Sequence, residues 1–124
     1  MNKAKPYSIK FEVKEEYLYV IVGGETLSAE IANQYWDEIA EERRKLKKTK
    51  ILIEKDFTRS VSLAEMYAMG INLGNKFKGR TIAFLDRYGN EDVNDFGQLV
   101  AENQGVKLKV FTNVDDAEKW LIAN

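Results

Sequence analysis

The sequence predicts one α/β domain built on a five-stranded mixed sheet, mostly parallel, with a single antiparallel edge strand. Three observations predict it. Apolar runs of strand length alternate with helix-length segments in the order β-β-α-β-α-β-α-β-α, the pattern of parallel strands joined by right-handed crossovers. The first two runs are separated only by Glu15-Glu16, a link that suits an antiparallel hairpin. The internal runs at Tyr17–Val22, Ile51–Ile53 and Thr81–Leu85 are apolar nearly throughout, as strands covered on both faces are.

The elements follow in order. Tyr7 to Lys14 alternates strictly, with Tyr7, Ile9, Phe11 and Val13 on one face and Ser8, Lys10, Glu12 and Lys14 on the other, which predicts a half-exposed edge strand. Tyr17–Val22 is an interior strand that Gly23-Gly24 ends. Glu25 to Lys48 reads as a long helix, with Ile31, Tyr35 and Ile39 forming an apolar stripe beside Ala32, Trp36 and Ala40. Its acids come early and its bases late, as the helix dipole prefers, and Glu41–Lys45 is a ready i,i+4 pair. Ile51–Ile53 is a short buried strand. A polar loop from Asp56 leads to Ser62, which opens a second helix with capping-box spacing to Glu65 and a staple pair in Val61 and Met66. This helix runs to about Asn75 and is apolar around much of its circumference. Gly70 and Gly74 stand four apart on one face, which implies close backbone approach to a neighbour, read as burial under the first helix. After the turn Lys76–Gly79 comes the strand Thr81–Leu85, then a polar loop from Asp86 to Asp92. A third helix runs from about Glu91 to Gln104, with Phe96, Leu99 and Val100 facing in and Gly105 terminating it. Val106–Phe111 is a lysine-bearing edge strand, and Asn113 caps a last helix, Val114–Ile122.

The chain has 124 residues, 19 basic and 20 acidic, for a net charge of −1. So even a balance argues against a dedicated nucleic-acid binder, which needs a basic footprint. The sequence contains no cysteine and no histidine, which removes disulfides, thiolate metal sites and the commonest general base and metal ligand. Asp86, Glu91, Asp92 and Asp95 lack the spacing of a calcium loop. No stretch is apolar for long enough to span a bilayer, and no secretory leader opens the chain, so the default expectation is a cytoplasmic protein whose residues 1–6 are flexible. The sequence assigns no catalytic residue, no metal and no cofactor.

Three stretches carry a resemblance: Arg80-Thr81-Ile82-Ala83-Phe84, the Phe96…Val100–Gly105 run, and the ending Val110-Phe111-Thr112-Asn113-Val114-Asp115-Asp116-Ala117-Glu118-Lys119-Trp120-Leu121. Over nearly the whole chain the order resembles the STAS domain. In particular it is similar to the SpoIIAA-like branch of small bacterial proteins, some of which are likened to CRAL-TRIO lipid-transfer domains. The resemblance implies a right-handed β–α superhelix that acts by binding, without intrinsic catalysis. In the anti-sigma-factor antagonists of that family, a serine beside the second helix is phosphorylated and switches partner choice. Asp56 matches their acidic residue after the third strand. Their Asp-Ser-Ser-Gly pattern is absent, the chain reading Arg59-Ser60-Val61-Ser62-Leu63.

Two sets of candidates result. Asp56, Thr58, Arg59, Ser60 and Ser62 are candidates for contacting a protein partner or for phosphorylation, since phosphate beside a helix N-terminus meets its positive dipole. Leu63, Met66, Tyr67, Gly70 and Phe77 are candidates for holding a small apolar, lipid-like ligand, or for an interface that leaves a homodimer open.

Overall fold

A computed structural model describes residues 5–124. For residues 1–4 the expected flexibility lies outside the described residues; Lys5 pairs with Glu38 at 2.8 Å. The elements are β1 (Ser8–Val13), β2 (Leu18–Thr26), α1 (Ala29–Leu46), β3 (Lys50–Arg59), α2 (Leu63–Phe77), β4 (Thr81–Asp86), α3 (Glu91–Asn103), β5 (Lys107–Phe111) and α4 (Val114–Ala123). The five strands form one sheet in the order β1-β2-β3-β4-β5, β1 antiparallel to β2 and the rest parallel. Lys14 N–H donates to Tyr17 O at 3.0 Å, so Glu15 and Glu16 are the centre of the hairpin turn, as expected.

Strand order that repeats chain order has a direct consequence. Each crossover steps one strand in the same direction, and a crossover of fixed hand then lands on the same face each time. The main core accordingly gathers α1, α2 and α3 over Val20, Val22, Ile51, Ile53, Phe57, Ile82, Phe84 and Leu108. Helix α4 follows the last strand and is no crossover. It covers the other face, where Ala117 and Leu121 pack on Tyr17, Leu52 and Ala83.

Several boundaries differ from expectation. Strand β2 does not end at Gly23-Gly24. A Cβ on Gly23 would lie 2.8 Å from Asp56 O and one on Gly24 3.0 Å from the Phe57 ring, so these glycines let the strand continue flush against β3. Helix α1 begins at Ala29 rather than Glu25, because Ser28 is its cap, accepting from Ile31 N–H at 3.1 Å. Leu99 does not face in: it is 57% exposed, and Val100 and Ala101 take the buried positions. Val13 is likewise exposed, at the far end of an otherwise inward-facing row. Gly70 and Gly74 do permit close approach, but to α3 rather than α1: Cβ atoms there would lie 2.6 Å from Val100 Cγ1 and 2.3 Å from Gln104 Cβ. The largest difference is β3, which runs through Arg59, so Asp56, Thr58 and Arg59 are strand residues and the loop shrinks to Ser60-Val61-Ser62.

Candidate functional site at the carboxyl end of the third strand

The longer β3 sorts Glu54, Lys55 and Asp56 onto its two faces by simple alternation. Ile51, Ile53, Lys55 and Phe57 share the face under the helices, while Leu52, Glu54 and Asp56 share the other. Lys55 is therefore driven into the core, fully buried. Its cross-strand neighbour is Asp86, also buried, and the ammonium lies 3.2 Å from Asp86 Oδ2. Asp86 Oδ2 also accepts from Asn94 Nδ2 at 2.8 Å and Asn90 Nδ2 at 3.0 Å, and Oδ1 accepts from Tyr88 N–H at 2.9 Å. Burial alone would raise the Asp86 pKa. The Asn94 hydrogen bond, the Lys55 charge and the other two donors outweigh burial and hold it below its ordinary value. Burial lowers the Lys55 pKa, and the Asp86 charge only partly restores it.

On the opposite face Arg87 clamps both strand carboxylates. It pairs with Glu54 through Nε at 2.7 Å and with Asp56 through Nη1 at 3.0 Å. Tyr19 donates its hydroxyl to Glu54 at 2.8 Å, and its pKa is pushed up to about 12 by desolvation and by that carboxylate. Asp56 is thus engaged by Arg87, from the end of the neighbouring strand.

The predicted hydroxyls are not equivalent. Thr58 is exposed at the strand end and donates to Glu25 O at 2.7 Å, tying β3 to β2. Ser62 caps α2 as expected, accepting from Glu65 N–H at 3.2 Å. The capping box is not closed in the usual way: Glu65 Oε2 accepts instead from Ala29 N–H, at the start of α1, at 3.4 Å. Ser60 Oγ accepts from Lys55 Nζ at 3.3 Å. A serine beside a buried lysine invites comparison with a Ser–Lys nucleophile pair. Here the lysine is donor to the serine and partner to a carboxylate, so it offers no lone pair to take a proton.

The apolar candidates divide as well. Leu63 and Tyr67 are each 54% exposed on α2, and Tyr67 stacks on Phe96 of α3 with ring centroids 6.5 Å apart. With Ala64 and Ala68, also exposed, they give the first turns of α2 an outer face without a charge. Met66 and Gly70 point inward and line a cavity between α2, α3 and the sheet. Phe77 is buried edge-on against Trp36 at 5.2 Å and does not reach the cavity. The cavity offers about 30 Å³ to the centre of a water molecule, space for about two waters and far short of an acyl chain. Among the described residues no group of three or more acidic side chains gathers as a metal site, and no helix is long and apolar enough to cross a membrane.

No family model matches the sequence, and no curated protein matches it. Solved structures do. An anti-sigma factor antagonist from Mycobacterium paratuberculosis superposes over 98% of this chain and 99% of its own, with a TM-score of 0.61 at 12% identity. A DUF3478-family protein with a SpoIIAA-like fold from Shewanella loihica covers 98% of both chains, with a TM-score of 0.54 at 19% identity. The chain has the SpoIIAA-like fold. That is the fold the resemblance implied, and the antiparallel strand beside the parallel four is the one the Glu15-Glu16 link predicted.

Within this SpoIIAA-like frame, sequence reading missed Lys55, Asp86 and Asn94 on one face and Tyr19, Glu54 and Arg87 on the other. One signal was present. Phe57 continues the alternation of Ile51 and Ile53 across the charged Glu54-Lys55-Asp56, so a strand reaching past Asp56 was legible as period two.

Proposed function

We propose that this chain is a non-enzymatic regulatory module of STAS type, meeting a protein partner with the Ser60–Ser62 loop and the first turns of α2. The observation that carries this reading is the uncharged outer face of α2, where Leu63 and Tyr67 are half exposed one turn apart and Phe96 widens the patch. Exposed apolar side chains grouped on one face, at the start of a helix and beside the loop hydroxyls, are better suited to recognition than to stability. The likeness to an anti-sigma factor antagonist supports a protein as the partner.

Ser60 and Ser62 are the hydroxyls at which such a contact would be switched. A phosphate on Ser62 would lie at the α2 N-terminus but against Glu65. One on Ser60 would lie against the Lys55 ammonium, which makes Ser60 the better anion position. No catalytic role is assigned: the chain has no histidine, and the lysine of the Lys55–Ser60 contact is committed to an ion pair.

A photo-crosslinking amino acid at position 63 or 67 tests the surface in cells. The expected result is one crosslinked protein at both positions and none at Lys107, on the far edge strand. Equal labelling at all three positions, or at none, would remove the proposal. Ser60→Glu is expected to reduce the specific crosslink at least tenfold if the switch acts there, and Ser60→Ala to preserve it.

A further inference from the structure

The two edges of the sheet are finished differently. At the β5 edge, Gln98 Oε1 accepts from Val110 N–H at 3.0 Å, so a side chain of α3 stands where a further strand would pair. The β1 edge has no such cover. Lys14 N–H donates to Tyr17 O, which sets the alternation of the hairpin. The backbone groups of Ser8, Lys10, Glu12 and Lys14 therefore turn toward β2, and those of Ile9, Phe11 and Val13 turn outward. Among the described residues no group hydrogen-bonds to these outward positions. Lys5 and Pro6, which lead into β1, lie against α1 and β2 instead: Lys5 pairs with Glu38, and Pro6 O stands 3.3 Å from where a Gly24 Cβ would be. The side chains of the edge are also distinctive. Ile9 and Phe11 are partly buried against the main core, and Val13 is 56% exposed. On the other face Lys10, Glu12 and Lys14 alternate in sign, with Glu12 Oε1 2.8 Å from Lys14 Nζ. A row of like charges repels a second copy of itself, whereas a row of alternating charges can match one.

We propose that β1 pairs antiparallel with β1 of a second copy of this chain, joining the two sheets across a two-fold axis normal to them. Such an axis keeps both layers of α1, α2 and α3 on one side. It also sets outward residues opposite outward residues, as backbone hydrogen bonding requires. The charges then choose the register. With Phe11 of one copy opposite Phe11 of the other, Ile9 faces Val13 and Lys10 faces Glu12, each twice by symmetry. All three outward residues of each copy then donate one N–H and accept one, and Val13 gains an apolar neighbour across the seam. Centring the pair on Lys10 would set Lys10 against Lys10 and leave Val13 opposite Tyr7, whose ring is already committed to its own core. Centring it on Glu12 would set Glu12 against Glu12 and Lys10 against Lys14. Opposite charges directly across a strand pair are favourable and like charges are not, so the Phe11 register is selected. The seam shares no residue with the outer face of α2 and stands independently of the partner proposed for that face.

The test uses the full chain in about 0.15 M salt, where distant charges are screened. Sedimentation equilibrium of the parent should show monomer and dimer in exchange, with a dissociation constant between micromolar and millimolar for so short a seam. Lys10→Glu sets two acids against each other at both ends of the seam, and Glu12→Lys two bases. Each variant alone should associate at least about tenfold more weakly. In an equimolar mixture of the two variants every facing pair is again opposite in sign, and association should return to within about threefold of the parent. Recovery in the mixture also shows that neither variant has failed to fold. Because the chain has no cysteine, single cysteines report the register. Lys10→Cys mixed with Glu12→Cys should form the mixed disulfide at least about fivefold faster than either forms its own, since residues facing in a non-hydrogen-bonded pair approach to about 4.5 Å between Cα atoms. The proposal is overturned by a parent that stays monomeric at about 1 mM, or by a dimer that both charge variants leave unchanged. It is equally overturned by a mixture no stronger than its components, or by a mixed disulfide that forms no faster than the like pairs.

Discussion

Three glycine-to-alanine substitutions along the α2–α3 seam should separate by what each new methyl meets. In a helix interior, alanine is better than glycine by about 1 kcal/mol, so all three start from an equal gain. The structure then ranks the losses. At Gly74 the Cβ would lie 2.3 Å from Gln104 Cβ, far inside the ~3.5 Å at which carbon atoms meet. Gln104 Cβ is one bond from the backbone, so relief requires the helices to part. At Gly70 the obstacles are Val100 Cγ1 at 2.6 Å and Cβ at 2.8 Å, on a side chain whose χ1 is stiff in a helix. At Gly97 the obstacle is Met66 Sδ at 2.7 Å, near the end of a flexible chain. Overpacking that moves backbone costs about 1–3 kcal/mol. Gly74→Ala is therefore expected to destabilise by about 2 kcal/mol net, Gly70→Ala by about 1 kcal/mol, and Gly97→Ala to fall within about 0.5 kcal/mol of neutral. Urea unfolding of the three variants measures this, and at about 4 °C per kcal/mol a thermal melt resolves the order. Gln104→Gly removes the obstructing Cβ at the end of α3. In a double-mutant cycle it should restore about 1 kcal/mol or more to Gly74→Ala. A Gly74→Ala protein as stable as the parent, or a Gly97→Ala protein that is the worst of the three, would refute the close packing of α2 on α3.

The buried ion pair provides the next test. Lys55→Met strands Asp86 without its counter-charge and should cost about 3–5 kcal/mol, whereas Lys55→Met with Asp86→Asn should recover most of that loss; urea midpoints of the two decide. The pair also sets an acid dependence. Because the folded Asp86 pKa lies below its ordinary 3.8, the stability it contributes is complete above that value. That contribution is lost as pH falls from about 3.8 through the folded value, so Asp86→Asn should flatten this part of the acid-unfolding profile. Tyr19, with its pKa pushed up to about 12, should ionise later than an ordinary phenol, and Glu54→Gln should bring its absorbance titration down toward 10.0. Ser62→Ala removes the α2 cap and should cost about 1 kcal/mol by thermal melt, with Ser62→Asp retaining most of it.

Much of the fold was present in local pattern. The order of nine elements, the hairpin at Glu15-Glu16, the Ser62 and Asn113 caps and the lysine-bearing edge strand β5 follow from period, turn length and cap chemistry, all of which act over a few residues. The Ser60–Ser62 hydroxyls were legible for the same reason. What the sequence alone did not reveal is where charged residues go when a strand continues past its apolar run. Lys55 reads as surface-bound by its chemistry, and only pairing of β3 with β4 supplies the Asp86 that lets it be buried. Leu99 reads as core by its chemistry, yet α3 turns Val100 toward Gly70 and leaves Leu99 outside. Which helix a glycine faces, which carboxylate Arg87 reaches and whether α2 covers a cavity all depend on packing between elements distant in the chain. Side-chain type and spacing determined the elements of this protein; the choice of neighbour, and with it both candidate sites, was decided by the same-handed stacking of three helices on one face of the sheet.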